Sequence, residues 1–131
     1  MANQGLIILD TNILIEVIRR NLTVIQICDK AGTENLAITS VCRSEFLLGS
    51  RDKENFEANK KFIDKFRLLR INEVVDEIFT ELFEKYSLSH RPAIPDMLIA
   101  AAAIHNEASL YTLNTRDFRF IPQLKLLRQT P

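Results

Sequence analysis

Glycine and proline are scarce in this chain, at three and four of 131 residues. So few chain breakers argue against a disordered or linker-rich polypeptide. Cysteine occurs twice, as Cys28 and Cys42, without a CxxC pair and without a nearby histidine. That excludes a cysteine-based zinc site and a disulfide framework, and leaves two buried free thiols as the reading. Charge of either sign is not in excess, because 17 Lys and Arg balance 17 Asp and Glu. A nucleic-acid binder acting through bulk positive charge is thereby excluded, though not a local basic rim around an acidic site. No apolar run reaches transmembrane length, and no secretory pattern precedes the first strand. The expectation is a cytoplasmic protein with no membrane partner. What is present is ordinary: 47% apolar and 26% charged residues, the balance of a globular chain able to bury one core. Residues 1–131 read as a single domain.

Apolar runs and helical stripes alternate along the chain. Residues 5–9 form a continuous apolar run, the pattern of a strand covered on both faces. A short helix over 12–20 follows, then a helix over 22–31 that Gly32 terminates. Residues 36–39, "LAIT", read as a second strand, with Ser40 capping a helix that Gly49 ends. "DKENFEANKKFIDKFRLL" repeats Phe56, Phe62, Ile63, Phe66 and Leu69 at helical spacing. A brief strand near 69–71 leads into a helix over 73–86 with an apolar face. The aromatic stripes of these helices read as core rather than as a base-stacking platform. "SLSHRPAIP" reads as a loop, residues 96–106 as an alanine-rich helix, 109–113 as a strand and 124–127 as a last strand. The pattern predicts an α/β fold, a three-layer α/β/α sandwich around a mostly parallel sheet.

Four acidic residues fall at special places in this order. Asp10 ends the first strand, Glu45 lies about one turn into the helix after the second, and Asp96 opens the alanine-rich helix behind Pro95. Asp117 lies in the loop beyond the strand at 109–113. Ligands of open α/β sheets bind outside the carboxyl ends of the strands, so neighbouring strands would bring all four acids to one crevice. Each acid also has a local explanation. Asp10 and Asp96 suit helix N-caps, Glu45 a solvated helix position, and Asp117 an Asx turn. Yet Asp10 and Glu45 sit within the apolar stretches "LIILD" and "SEFLL", where an unpaired charge is costly.

Carboxylates crowded into one crevice repel each other unless a cation neutralises them. All the donors are oxygens, which suits a hard divalent ion, Mg²⁺ or Mn²⁺. Such an ion lowers the pKa of bound water and stabilises charge on phosphoryl oxygens, so phosphodiester hydrolysis is the reaction this set fits best.

The segments "LDTNILIEVI", "TSVCRSEFLLG", "IPDMLIAAAAIHNEASLYTLNTRDF" and "IPQLKLL" together resemble the PIN-domain family, most closely the VapC-like toxin ribonucleases of toxin–antitoxin modules. The resemblance places Asp10, Glu45 and Asp96 on the family's three core acidic positions and Asp117 on the fourth. It also implies supporting roles for Thr11, Asn12, Thr112 and Asn114. By the same resemblance Asp10, Asp96 and Asp117 would be metal ligands. Glu45 would either ligate or accept a proton from the attacking water. The implied activity is metal-dependent cleavage of RNA, the implied partners an antitoxin and a second copy of the chain. Arg43, Arg51, Lys53, Arg91, Arg116 and Arg119 flank the acidic motifs and can supply a basic rim. His90 and His105 match no catalytic position and are set aside, as is Ser44. Two rival readings remain: a receiver-like phosphorylation domain, which would need adjacent acids after the first strand, and a PIN-like scaffold that binds RNA or protein without cutting.

Overall fold

The computed structural model describes residues 5–127. Five parallel strands form one sheet: β1 (Ile7–Leu9), β2 (Leu36–Thr39), β3 (Arg67–Leu69), β4 (Ser109–Tyr111) and β5 (Lys125–Leu126). Their order across the sheet is β3-β2-β1-β4-β5. The chain thus builds outward from β1 to one edge, then returns past β1 to build the other. The switch falls between β1 and β4, and the crevice beyond their carboxyl ends is where such a sheet binds ligands. A receiver-like flavodoxin order, 2-1-3-4-5, is excluded by this topology.

Six helices cover both faces: α1 (Thr11–Ile18), α2 (Leu22–Ala31), α3 (Ser40–Leu48), α4 (Lys53–Ile63), α5 (Glu73–His90) and α6 (Ile94–His105). Period-two alternation assigns each strand residue to a face. Ile8, Ala37 and Leu110 point toward α5 and α6, where Val75, Leu82, Met97 and Ile99 complete one core. Leu9, Ile38 and Tyr111 point the other way, toward Ile13, Val24, Phe46 and Ile63. The expected three-layer sandwich is the observed one. Ala100, Ala101, Ala102 and Ala103 are all fully buried, and their small side chains let α6 lie close between the sheet and α5.

Several boundaries differ from those the sequence predicts. Strand β3 ends at Leu69 rather than Ile71 because its partner β2 ends at Thr39. Beyond that point β2's chain is already helical and offers no ladder. Thr39, not Ser40, caps α3, its hydroxyl accepting from the Cys42 N–H at 3.1 Å. Helix α5 runs four residues past Tyr86 to His90 and stops only where Pro92 forbids continuation. Residues 87–90 are therefore helix rather than loop. Helix α6 begins at Ile94 with Ala93 as its cap and Pro95 in the first turn, where a missing N–H costs nothing. Asp96 accordingly lies inside that first turn and does not cap the helix.

Candidate active site

Asp10 is the buried centre of the crevice, 6% exposed. Its backbone N–H donates to Tyr111 O at 3.0 Å, which continues the β1–β4 ladder by one residue. Its side chain accepts from the Thr11 N–H at 2.8 Å, so it does cap α1. The other carboxylate oxygen faces across the switch point. There it accepts from the Thr112 hydroxyl at 2.7 Å and from Asn12 Nδ2 at 3.4 Å. Asn12 in turn accepts the Leu113 N–H at 3.1 Å, tying the start of α1 to the chain leaving β4. Thr112 is itself oriented, since its hydroxyl oxygen accepts the Asn114 N–H at 3.0 Å. Donors fixed in this way lock the carboxylate's orientation. Asn114 supports the site through its backbone.

Glu45 reaches the same place from α3. Thr11 donates its hydroxyl to Glu45 Oε1 at 2.6 Å, so Thr11 positions Glu45 while Asn12 positions Asp10. Glu45 is exposed rather than embedded. Its apolar neighbour Phe46 turns inward to the core instead, because adjacent helix residues face different directions. One turn before Glu45 lies Cys42, fully buried, its Sγ 3.8 Å from Asp10 Oδ1. Ligating atoms of Asp10, Cys42 and Glu45 all lie within 4.8 Å of one another. Burial pushes the Cys42 thiol up to about 12, and the charges of Asp10 and Glu45 add to the rise. Cys42 is thus a neutral S–H that packs against Asp10. The sequence reading took it for a plain core thiol; the three-residue spacing to Glu45 on one helix face was the available signal.

Asp96 and Asp117 enter from the other side. They line a cavity of about 390 Å³ together with His90, Arg91, Arg116 and Phe120. Asp96 is half-buried and Asp117 exposed, in a short 3-10 turn at Thr115–Asp117. Burial raises the Asp96 carboxyl to about 6, and the negative charges of Asp10, Asp117 and Glu45 contribute in that order. The four sequence-predicted acids therefore share one electrostatic neighbourhood. None of them is ion-paired to a Lys, Arg or His among the described residues.

The expected basic rim is unevenly used. Arg91 and Arg116 line the Asp96 cavity, and Arg51 lines a neighbouring groove with Glu45. Arg43 instead spends its charge on Asp64 at 3.1 Å. His105 sits at the far end of α6, with Nε2 3.5 Å from Asn72 Nδ2, away from the acids.

The PIN domain family model matches residues 7–122. The chain belongs to the PIN domain family. Among curated relatives, this PIN domain is 34% identical over 93 residues to Ribonuclease VapC19 of Mycobacterium tuberculosis, covering 70% of this chain and 74% of that protein. Among solved structures it superimposes on VapBC2 from Rickettsia felis, bound to a DNA fragment from their promoter, with TM-score 0.83 and 25% identity. That match covers 93% of this chain and 97% of the other. A similar match, TM-score 0.80 at 25% identity, is to FitAB bound to the IR36 DNA fragment, covering 95% of each chain. DNA-bound VapBC from Salmonella typhimurium shares the fold at 21% identity, with TM-score 0.82 and coverage of 95% and 98%.

Proposed function

We propose that this PIN domain is a Mg²⁺- or Mn²⁺-dependent endoribonuclease and the toxin of a toxin–antitoxin pair, acting on RNA in the cytoplasm. The observation that carries the reading is the acid set itself: Asp10, Glu45, Asp96 and Asp117 share one electrostatic neighbourhood at the switch point, with no cationic side chain among the described residues paired to any of them. At neutral pH such a set is left with uncompensated repulsion, and its oxygen donors fit a hard divalent cation. Asp10, Asp96 and Asp117 would hold the ion. When bound, it supplies Lewis-acid stabilisation of phosphoryl charge and a lowered pKa for water.

The chain's own residues do the rest. Thr112, Asn12 and the Thr11 N–H fix Asp10 in one orientation. Glu45, exposed and held by Thr11, is the acid best placed to accept a proton from an attacking water. Arg91 and Arg116 offset the acids along the path an RNA backbone would take. The VapC19 ribonuclease and the VapBC complexes among its neighbours support both the activity and an antitoxin partner. A homodimer is part of the same proposal.

Purified wild type should cleave cellular RNA in Mg²⁺ or Mn²⁺, and Asp96→Asn should abolish cleavage while keeping the native circular dichroism. Undiminished cleavage by that variant, or by chelator-treated wild type, refutes the mechanism. Folded wild type that binds RNA without cutting it would replace the enzyme reading with the scaffold reading. Expression without an antitoxin should arrest growth, and Asp10→Asn should relieve the arrest.

A further inference from the structure

His90 is exposed, yet three contacts hold its ring. The imidazole stacks on Phe120 with centroids 4.1 Å apart and planes 15° from parallel. Tyr86, one turn earlier on α5, meets His90 edge-on at 5.6 Å and Phe120 at 4.9 Å. The Ser89 hydroxyl lies 2.8 Å from His90 Nδ1 and sets the ring's rotation. Phe120 covers one face of the ring, while the residue as a whole is exposed. Ordering an exposed side chain costs conformational entropy, and this one is ordered as a flat surface open to solvent.

The stack borders the acids directly. His90 and Phe120 line the same cavity as Asp96 and Asp117, and so do Arg91 and Arg116. Neither arginine is ion-paired with a described residue. Arg91 also holds a left-handed backbone, φ 44°, at the position closing α5. Glycine is the usual occupant there, and a residue with a Cβ costs about 1 kcal/mol. A flat aromatic face, two uncommitted guanidinium groups and a pair of carboxylates therefore open onto one space. That space lies at the lower end of the size range of small-molecule sites.

We propose that His90 and Phe120 form a base-stacking subsite for the nucleotide beside the scissile phosphate of single-stranded RNA, with Arg91 and Arg116 taking its phosphates. Stacking needs an unpaired base whose π-face is free, which a duplex does not offer. It also tolerates any base, so the subsite aligns the strand without reading its sequence. An acidic peptide would use the arginines but gain nothing from the aromatic wall. The inference rests on the ribonuclease reading above for the placement of the scissile phosphate.

The test uses fluorescence anisotropy with the full-length Asp96→Asn protein in Mg²⁺. The probes are a short labelled oligouridylate and an abasic ribose-phosphate strand of equal length and charge. The base-bearing strand should bind at least about fivefold tighter, the lower end for one stacked base. Adding His90→Ala should remove most of that preference, and His90→Phe should restore it. Equal binding of the two strands, or a preference that His90→Ala leaves intact, overturns the subsite. Wild-type cleavage is assayed in parallel. Cleavage without any base preference removes the subsite alone, whereas base preference without cleavage by wild type keeps the subsite and removes the ribonuclease reading.

Discussion

Replacing Asp96 by Asn should stabilise the metal-free protein while destroying its activity. Asp96 titrates near 6 in the folded chain against an ordinary 3.8, so folding disfavours its charged form. Unscreened, that difference corresponds to about 3 kcal/mol. The group is half-exposed, and solvent screening cuts the cost to roughly half. Asp96 also sits in the first turn of α6, where the helix dipole favours a negative charge by about 0.5 kcal/mol. The net gain from Asp96→Asn should then be about 1 kcal/mol at neutral pH. Its pH dependence follows from the raised folded pKa. Below 3.8 the carboxyl is protonated whether folded or unfolded, and the variant gains nothing. Between 3.8 and about 6 the folded state holds the extra proton, so wild type loses stability as pH rises. Above 6 the full difference persists. Urea denaturation in chelator at pH 3 and pH 7.5 measures both limits. Mg²⁺ at ten times its Kd should stabilise wild type by about 1.4 kcal/mol and leave the variant unmoved, reversing their order. Equal stability of the two proteins at pH 7.5 without metal, or a gain for the variant confined to low pH, would refute the crowding of four acids. A site of this kind gives up stability for function.

The other expectations concern the groups that hold Asp10. Thr112→Val keeps the shape but removes the 2.7 Å donor to a buried carboxylate, so it should destabilise by about 1.5–3 kcal/mol in urea denaturation. It should also weaken Mg²⁺ affinity about 10-fold or more, read by calorimetry, as loss of a ligand's orienting partner does. Cys28 and Cys42 are buried, with thiols pushed up to about 11 and about 12. Native protein at pH 8 should therefore resist a thiol-reactive disulfide reagent over minutes, and both thiols should react in denaturant. A fast native reaction would show that Cys42 is not the neutral packing group described.

The site was legible in the sequence where burial and strand ends coincide. An apolar run that stops on Asp10 identifies a strand terminus, whereas the strand read at 109–113 is two residues too long, because β4 ends at Tyr111 and Thr112 already turns its hydroxyl to Asp10. The apolar surroundings expected for Glu45 are not what the structure shows, because its side chain is exposed. Its neighbour Phe46 faces the core while Glu45 faces solvent, because a helix turns each successive residue through about 100°. The role of Asp96 as an N-cap failed because Pro95 is tolerated within the first turn as well as before it. Strand order was not legible, since alternating strands and helices are compatible with several windings of a parallel sheet. Nor was the short β3, whose length is set by where β2 turns into a helix rather than by its own residues. The division of labour between Thr11 and Asn12 needed coordinates: adjacent residues at a helix start face different partners, here Glu45 and Asp10.

The central claim, that these four carboxylates form one divalent-metal centre that cuts RNA, is tested most directly by Mn²⁺ titration followed by electron paramagnetic resonance, with RNA cleavage read in the same samples. Wild type should bind Mn²⁺ and begin to cleave over the same concentration range, while Asp10→Asn should lose both. Full-rate cleavage with no bound Mn²⁺, or Asp10→Asn binding the ion as tightly as wild type, would contradict the account.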